Sequence, residues 1–405
     1  MVADAGAKPR PLDGIRVIDA ATFIAAPFCA TLLGEFGAEV IKVELPGTGD
    51  PARHFGSATP CGDSLVWLTE ARNKKSITLD LRTADGAALF TRLAAEADVV
   101  CENFRAGTLE RWGLGYEDLR AHNAGLVMVR ITGYGQTGPY AARPGFGRIG
   151  NAFGGLSFLA GHPDREPVTP GSATLADYVS GLFGAFGALL ALRAREATGT
   201  GQVVDIGLYE SIFRLLDELV PAYAMFGKVR QRMGAGTVNA VPHSHYPTKD
   251  GTWVAIACTS DKMFARLAAL MGRPELAGDG RLATVAAREA AREEVDRMVA
   301  DWTRAHGRAE LLTLCERAEV PCGPVYAIDE IFADPQYRAR GNLRTIEDSR
   351  AGPVTVAEVV PRLSETPGAI DWLGPALGAH LAEVCGRLLG LDEAEVAALK
   401  RRGVM

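Results

Sequence analysis

From Ile15 to Thr132 the chain alternates short β-branched runs with stretches of helical spacing. The runs are IRVID (15–19), EVIKVE (39–44), SITLDL (76–81), DVVCEN (98–103) and LVMVRIT (126–132). Between them, Phe28 to Phe36, Ala84 to Ala97 and Leu109 to Asn123 carry Ala, Leu and Glu at helical intervals. Near-continuous apolar strands joined by crossover helices predict a parallel sheet covered on both faces, a doubly wound α/β domain.

The pattern then changes. Gly133 to Gly171 is rich in Gly and Pro (GYGQTGPY, RPGFG, HPDREPVTPG) and reads as long loops where backbone approaches a ligand. A helix from about Asp177 to Arg195 follows, with Val179, Leu182, Phe183, Phe186, Leu189 and Leu190 on an apolar face. Its Gly181, Gly184 and Gly187 predict close packing against a neighbour. After a second helix to about Phe226, Gly227 to Pro247 reads as a linker. TWVAIAC (252–258) restarts a strand, and Asp261 to Met271, Val285 to Trp302 and Ala309 to Ala318 are helical, giving a smaller mixed domain at about 226–326. The last helix opens at Asp392 with Glu395 three residues on, the capping-box spacing, and stops at Gly403.

Composition narrows the function classes. With 405 residues, 47% hydrophobic and 23% charged, the chain is an ordinary globular one of two to three domains. A net charge of −6 disfavours nucleic acid and anionic membrane as partners. The seven Cys are scattered and never spaced C-x-x-C, which suits reduced thiols in a cytosol rather than a disulfide framework or a zinc site. No export signal is read in MVADAGAKPRPL, and the apolar stretch Gly181 to Leu192 is too short to cross a bilayer. A cytoplasmic protein is expected.

Gly133 to Gly138 (GYGQTG) matches the dinucleotide fingerprint after a strand, but Pro139 to Pro144 follows where a helix must start, so a nicotinamide or flavin site is not expected. His243 and His245 form a close pair without further ligands, and no metal is expected. Arg105 and Arg111 follow a strand and suit phosphate, with Lys74 or Lys75 as a further cation; the bland alternative is a solvated basic surface. Asp177, at the start of the glycine-rich helix, is either an acid complementing the helix dipole or a carboxylate nucleophile.

Taken together, AAPFCATLLGEFGAEVIKVE (25–44), RNKKSITLDL (72–81), ENFRAGTLERWGLGYEDL (102–119), ITGYGQTGPYAARPGF (131–146), LADYVSGLFGA around Asp177, TGTGQVVDIGLYES (198–211) and the terminal LGLDEAEVAALKRRGV resemble the class III coenzyme A transferases, the CaiB/BaiF or formyl-CoA transferase family, over nearly the whole chain. The resemblance implies a Rossmann-like large domain built from 12–225 and a return segment at 327–405, a small domain at 226–326, and an interlocked homodimer. It implies Asp177 as the catalytic aspartate. Asn103, Phe104, Arg105 and Arg111 fall in the segment holding coenzyme A, and Lys75 matches a cofactor-contacting lysine. Gly154 and Gly155 are candidate oxyanion donors.

The implied chemistry passes through aspartyl anhydrides and an aspartyl-CoA thioester, with no metal. The related α-methylacyl-CoA racemases pair the aspartate with a histidine, whereas Phe146 stands at that place here and exchanges no proton. A non-catalytic acyl-CoA-binding homologue is the other alternative. The stretch Phe23 to Pro27 lacks the formyl branch's Gln, and Ala106 replaces a common Pro, which argues against oxalate. GFGRIGNAFGGLSFLAGHP (145–163) and PHSHYPTKDGTWVAIACTSDKMFARL (242–267) resemble the branch acting on C4 and C5 dicarboxylates (glutarate, itaconate, mesaconate, citramalate) with succinyl-CoA. Arg148, with His243 or His245, is the expected partner of the distal carboxylate.

Overall fold

The computed structural model describes residues 9–405. Six strands form one parallel sheet: β1 (Arg16–Asp19), β2 (Glu39–Glu44), β3 (Lys74–Thr78), β4 (Val99–Glu102), β5 (Val127–Thr132) and β6 (Val203–Gly207). Their order is β3-β2-β1-β4-β5-β6, the doubly wound arrangement expected. β1 pairs with β2 on one side and β4 on the other, so the order reverses between β1 and β4. Ligands in such sheets sit beyond the strand carboxyl ends at this reversal.

Helices cover both faces. On one, α1 (Ala25–Glu35) packs its Ala25, Ala26, Cys29 and Ala30 with Val17, Val99, Val127 and Val129. On the other, α2 (Ala84–Ala95) buries Leu89, Phe90 and Leu93 against Ile18, Ile41 and Val100. The stretch Leu109 to Asn123, read as one helix, is two: α3 (Thr108–Arg111) and a turn at Tyr116–Arg120, split at Gly113 and Gly115. The supposed loop region holds α4 (Gly147–Phe153). The glycine-rich helix α5 (Leu175–Thr198) is longer than its pattern suggested, and it is long and apolar enough to cross a membrane by length and composition. In the fold it lies on α1: a Cβ at Gly181 would meet the Ala25 carbonyl oxygen at 2.6 Å. α6 (Leu208–Phe213) follows β6.

The chain divides into two compact units. The first takes residues up to Phe158, Thr169–Val229 and Ala339–Met405. It includes a hairpin of β10 (Leu343–Asp348) and β11 (Gly352–Ala357), whose Val354 and Val356 pack with Trp67 and Leu68. The second unit takes Leu159–Val168 and Arg230–Arg338. Its antiparallel sheet, β7 (His243–Pro247), β8 (Trp253–Ala257) and β9 (Cys322–Pro324), carries α7 (Asp261–Leu270), α8 (Arg292–Arg304) and α9 (Arg308–Arg317). Tyr246, Val254, Ile256, Leu267, Val299 and Leu311 form its core. The region read as a linker thus ends in a strand. At the C-terminus α10 (Glu393–Arg401) has the expected capping box, Asp392 accepting from the Glu395 N–H and Glu395 from that of Asp392.

Candidate active site

Asp177 is the third residue of α5, in its positive first turn. The dipole there favours a carboxylate, but burial outweighs it and pushes the Asp177 carboxyl up from 3.8 to about 7. A carboxyl raised this far carries a proton over part of the neutral range. Space for this carboxylate exists because residue 147 has no side chain: a Cβ on Gly147 would lie 2.0 Å from Asp177 Oδ2.

Asp177 lines a chamber of about 220 Å³ with Thr22, Phe23, Ile24, Asn103, Phe104, Arg105, Arg143, Phe146 and Leu208. Three loops build it. The loop after β1 turns at Phe23, a left-handed residue at φ 63°, whose N–H is caught by Asp50 at 3.0 Å. Asp50 also pairs with Lys42 at 2.8 Å, and buried Lys42 and Lys74 flank Asp19. Burial would raise the Asp19 carboxyl, yet these two ammonium groups hold it below its ordinary value. The loop after β4 is joined to this one by Asn103, whose amide accepts from the Thr22 N–H at 2.8 Å and donates to the Thr22 carbonyl at 2.7 Å.

The third loop follows β5. Gly133 and Gly145 stack backbone on backbone, a Cβ at 145 lying 2.5 Å from the Gly133 Cα. This contact brings Arg143 and Phe146 to the chamber wall. Phe146 meets Phe23 edge-on at 6.3 Å, and the Arg143 guanidinium lies 3.7 Å over the Tyr140 ring.

A larger cleft of about 510 Å³ lies beyond the carboxyl ends of β1, β2 and β3, lined by Thr22, Leu45, His54, Leu79, Leu81, Arg82, Phe104 and Trp112. Thr22 and Phe104 line both spaces, so the cleft and the chamber adjoin. Phe104 stacks edge-on with Trp112 at 5.3 Å.

The structure gathers Asp177, Asn103, Phe104 and Arg105 as the sequence suggested. Arg111 is exposed on the short α3 and receives no acid; its guanidinium donates to Thr108 at 3.1 Å. Lys75 lies elsewhere. It stands at the amino end of β3, held by Glu39 and Glu383, whereas the cleft opens at the carboxyl end. Lys74 is buried on Asp19. The cation that the chain delivers to the cleft after β3 is Arg82, which the sequence does not single out because it lies beyond the carboxyl end of the strand, away from the Asn73–Lys75 cluster.

Arg148 points out of the chamber's lining and donates to Thr169 at 3.1 Å. The missed Arg143 occupies the wall instead. The amides of Gly154 and Gly155 are already bonded to the carbonyls of Gly150 and Ala152, so in this conformation neither is free to serve an oxyanion. A Cβ on Gly154 would press on the Tyr209 carbonyl at 2.8 Å, which gives that glycine a packing reason. His243 and His245 belong to the second unit, on β7. There His245 borders a cavity with His162, Ser244 and Arg292.

The sequence matches CoA-transferase family III over residues 12–381. It is 52% identical to the succinyl-CoA–L-malate CoA-transferase alpha subunit of Chloroflexus aurantiacus, over 99% of this chain and 94% of that one. It is 47% identical to the succinyl-CoA–D-citramalate CoA-transferase of the same bacterium, over 98% of each. Among solved structures, a CaiB/BaiF family protein from Brucella suis superposes with a TM-score of 0.82 at 38% identity, covering 94% of this chain and all of that one.

Proposed function

The chain belongs to CoA-transferase family III, and we propose that it moves coenzyme A from succinyl-CoA to a C4 or C5 dicarboxylic acid by covalent chemistry on Asp177. The observation that carries this reading is a desolvated carboxylate at the end of a chamber with two arginines in its wall. A carboxylate whose burial raises its basicity is a better nucleophile than one in water. Coenzyme A would lie along the cleft, its phosphates toward Arg82 of the cleft and Arg105 of the adjoining chamber, and its thiol arm would pass Thr22 and Phe104, which line both.

An Asp177 oxygen attacks the donor thioester carbonyl and expels CoA thiolate, leaving a mixed anhydride. The thiolate attacks the aspartyl carbonyl; the donor acid leaves as a carboxylate and Asp177 is held as its CoA thioester. The acceptor carboxylate attacks that thioester and frees the thiolate once more, forming a second anhydride. The thiolate then attacks the acceptor carbonyl, which releases the new acyl-CoA and restores Asp177. No metal, redox partner or net proton enters, but water must be kept out. Phe23, Ile24, Phe146 and Leu208 supply apolar walls for that purpose.

Racemisation needs a second proton-transfer group opposite the aspartate. Among the residues lining the chamber, Asp177 is accompanied by Arg105 and Arg143 and by no His, Lys, Glu or second Asp. L-Malate and D-citramalate are the first acceptors to try, since relatives act on them by name.

We also propose a homodimer. The outer face of α5 leaves Leu182, Phe186 and Leu190 more than half exposed, as are Val220, Tyr223 and Phe226 of the helix Leu219–Phe226, an apolar surface suited to a second copy. The free cysteines suit a reducing cytosol.

The test is intact mass after mixing with succinyl-CoA and quenching with borohydride, wild type beside Asp177→Ala. Reduction of an aspartyl thioester or anhydride to the alcohol lowers the mass by about 14 Da. That shift, mapped to residue 177 and absent from the variant, is expected. Its absence with every acyl-CoA tried, or its survival in the variant, overturns the reading; binding of CoA without it marks a non-catalytic homologue.

A further inference from the structure

We propose that Arg143 grips the distal carboxylate of the acid bound at Asp177 and so makes the enzyme selective for dicarboxylic acids. The inference rests on the transferase reading above and adds the residue that reads the substrate. Arg105 and Arg143 are the cations of the chamber lining, and among the described residues no acidic side chain pairs with either. Arg105 lines the chamber alone, but it follows directly on Phe104, which lines both the chamber and the cleft. Arg143 sits on the loop after β5, which lines the chamber but not the cleft. A thioester's phosphates therefore have Arg105 and Arg82 on their side, and Arg143 is left for the acid.

Its placement is built. The Gly133–Gly145 backbone contact fixes both ends of the loop. Tyr140 supports the guanidinium by a 3.7 Å cation–π contact and is itself wedged against Tyr134 at 5.8 Å and Phe153 at 6.0 Å. A guanidinium stacked on an aromatic face keeps its N–H fork free in the ring plane, the geometry that takes a carboxylate bidentately. The same chamber carries the apolar side chains of Phe146, Ile131 and Leu208, which suit a short carbon chain. One carboxyl of a C4 or C5 diacid on Asp177 and the other on Arg143 would fill the chamber. A monocarboxylate would set a bare methyl against the guanidinium, leaving that charge unpaired.

The experiment is acid exchange, in which labelled succinate enters succinyl-CoA and, separately, labelled butyrate enters butyryl-CoA. Each needs one acid and its own thioester, so donor and acceptor effects do not mix. In Arg143→Ala the ratio of succinate to butyrate exchange kcat/KM should fall on the order of 10- to 100-fold, carried by KM for succinate. Arg143→Lys should recover part of it, because charge returns without the fork. An unchanged ratio, with both acids slowed alike or neither slowed, overturns the assignment while leaving the transferase reading intact. A wild type that exchanges neither acid overturns both.

Discussion

The Cα of Gly147 stands against the Asp177 carboxylate so closely that a methyl group there would lie 2.0 Å from Oδ2 and 2.9 Å from the Ala173 carbonyl oxygen. The first turn of α4 is thus the floor on which the proposed nucleophile rests. Gly147→Ala should leave the fold intact but push the carboxylate from its attack position. A displacement of about 1 Å costs on the order of 100-fold in rate. Borohydride trapping should show the enzyme thioester forming that much more slowly, with circular dichroism unchanged; trapping at the wild-type rate would show that the carboxylate does not depend on this contact.

The pH dependence of the first half-reaction follows from the same side chain. The proposed attack needs the ionised carboxylate, and burial moves its midpoint up to about 7. For succinyl-CoA, kcat/KM should fall about tenfold per pH unit on the acid side of that midpoint and level off above it. A profile flat from about pH 5 to 8 would contradict a desolvated Asp177.

Stability should move in the opposite sense. Between the ordinary 3.8 and about 7 the folded protein holds a proton that the unfolded chain releases, so stability decreases as pH rises through that window and remains lower beyond it. Asp177→Asn has no such proton to lose. Its Tm should match that of wild type near about pH 4 and exceed it by a few degrees at about pH 8. The reverse order at high pH would mean that the carboxylate is stabilised by its surroundings.

Two cations of β3 and its end separate under mutation. Arg82, at the cleft and paired with Asp80 at 2.7 Å, should on replacement by Ala raise KM for acyl-CoA on the order of 10-fold with little change in kcat. Lys75→Ala breaks its pairs with Glu39 and Glu383. Those groups are only partly buried, so the effect should be about 1 kcal/mol or less on unfolding, with KM unmoved. A KM rise confined to the Lys75 variant would reverse the assignment.

That pair also shows what the sequence could and could not yield. β-Branched runs located β1, β2, β4 and β5 to within a residue, because strands buried on both faces leave no other reading. β3 begins at Lys74, two residues earlier than its apolar run, since Lys74 is neutralised inside the fold by Asp19. β6 was missed: on the sheet edge its Val203 and Asp205 are exposed and its pattern carries little burial. Motif resemblance singled out Asp177 and Asn103, and the fold brings both to one chamber. Arg143 gave no such signal, because the Gly133–Gly145 contact that brings it to the chamber wall joins residues twelve apart that no periodicity links.

Phe146 is 66% exposed within the chamber wall and touches Phe23 edge-on. Phe146→Ala should open the chamber to water, so that the covalent intermediates partition toward hydrolysis. The ratio of free CoA to transferred CoA should rise on the order of 10-fold while thioester trapping persists. An unchanged ratio would show that water is excluded by other groups.

The Asn103 amide grips the Thr22 backbone on both its N–H and its carbonyl, so the β1 and β4 loops behave as a single rigid jaw. The β5 loop, anchored chiefly at Gly133 and Gly145, is the other jaw, and it carries Arg143. On the proposed reading, thioester handling falls to the first jaw and acid recognition to the second, and the two meet at the Phe23–Phe146 ring contact. If Arg143 reads the acid as proposed, changing residues 138–144 should alter the acceptor acid while the Asn103–Thr22 jaw keeps its own bonds, a division of labour by which one scaffold can diversify its substrates.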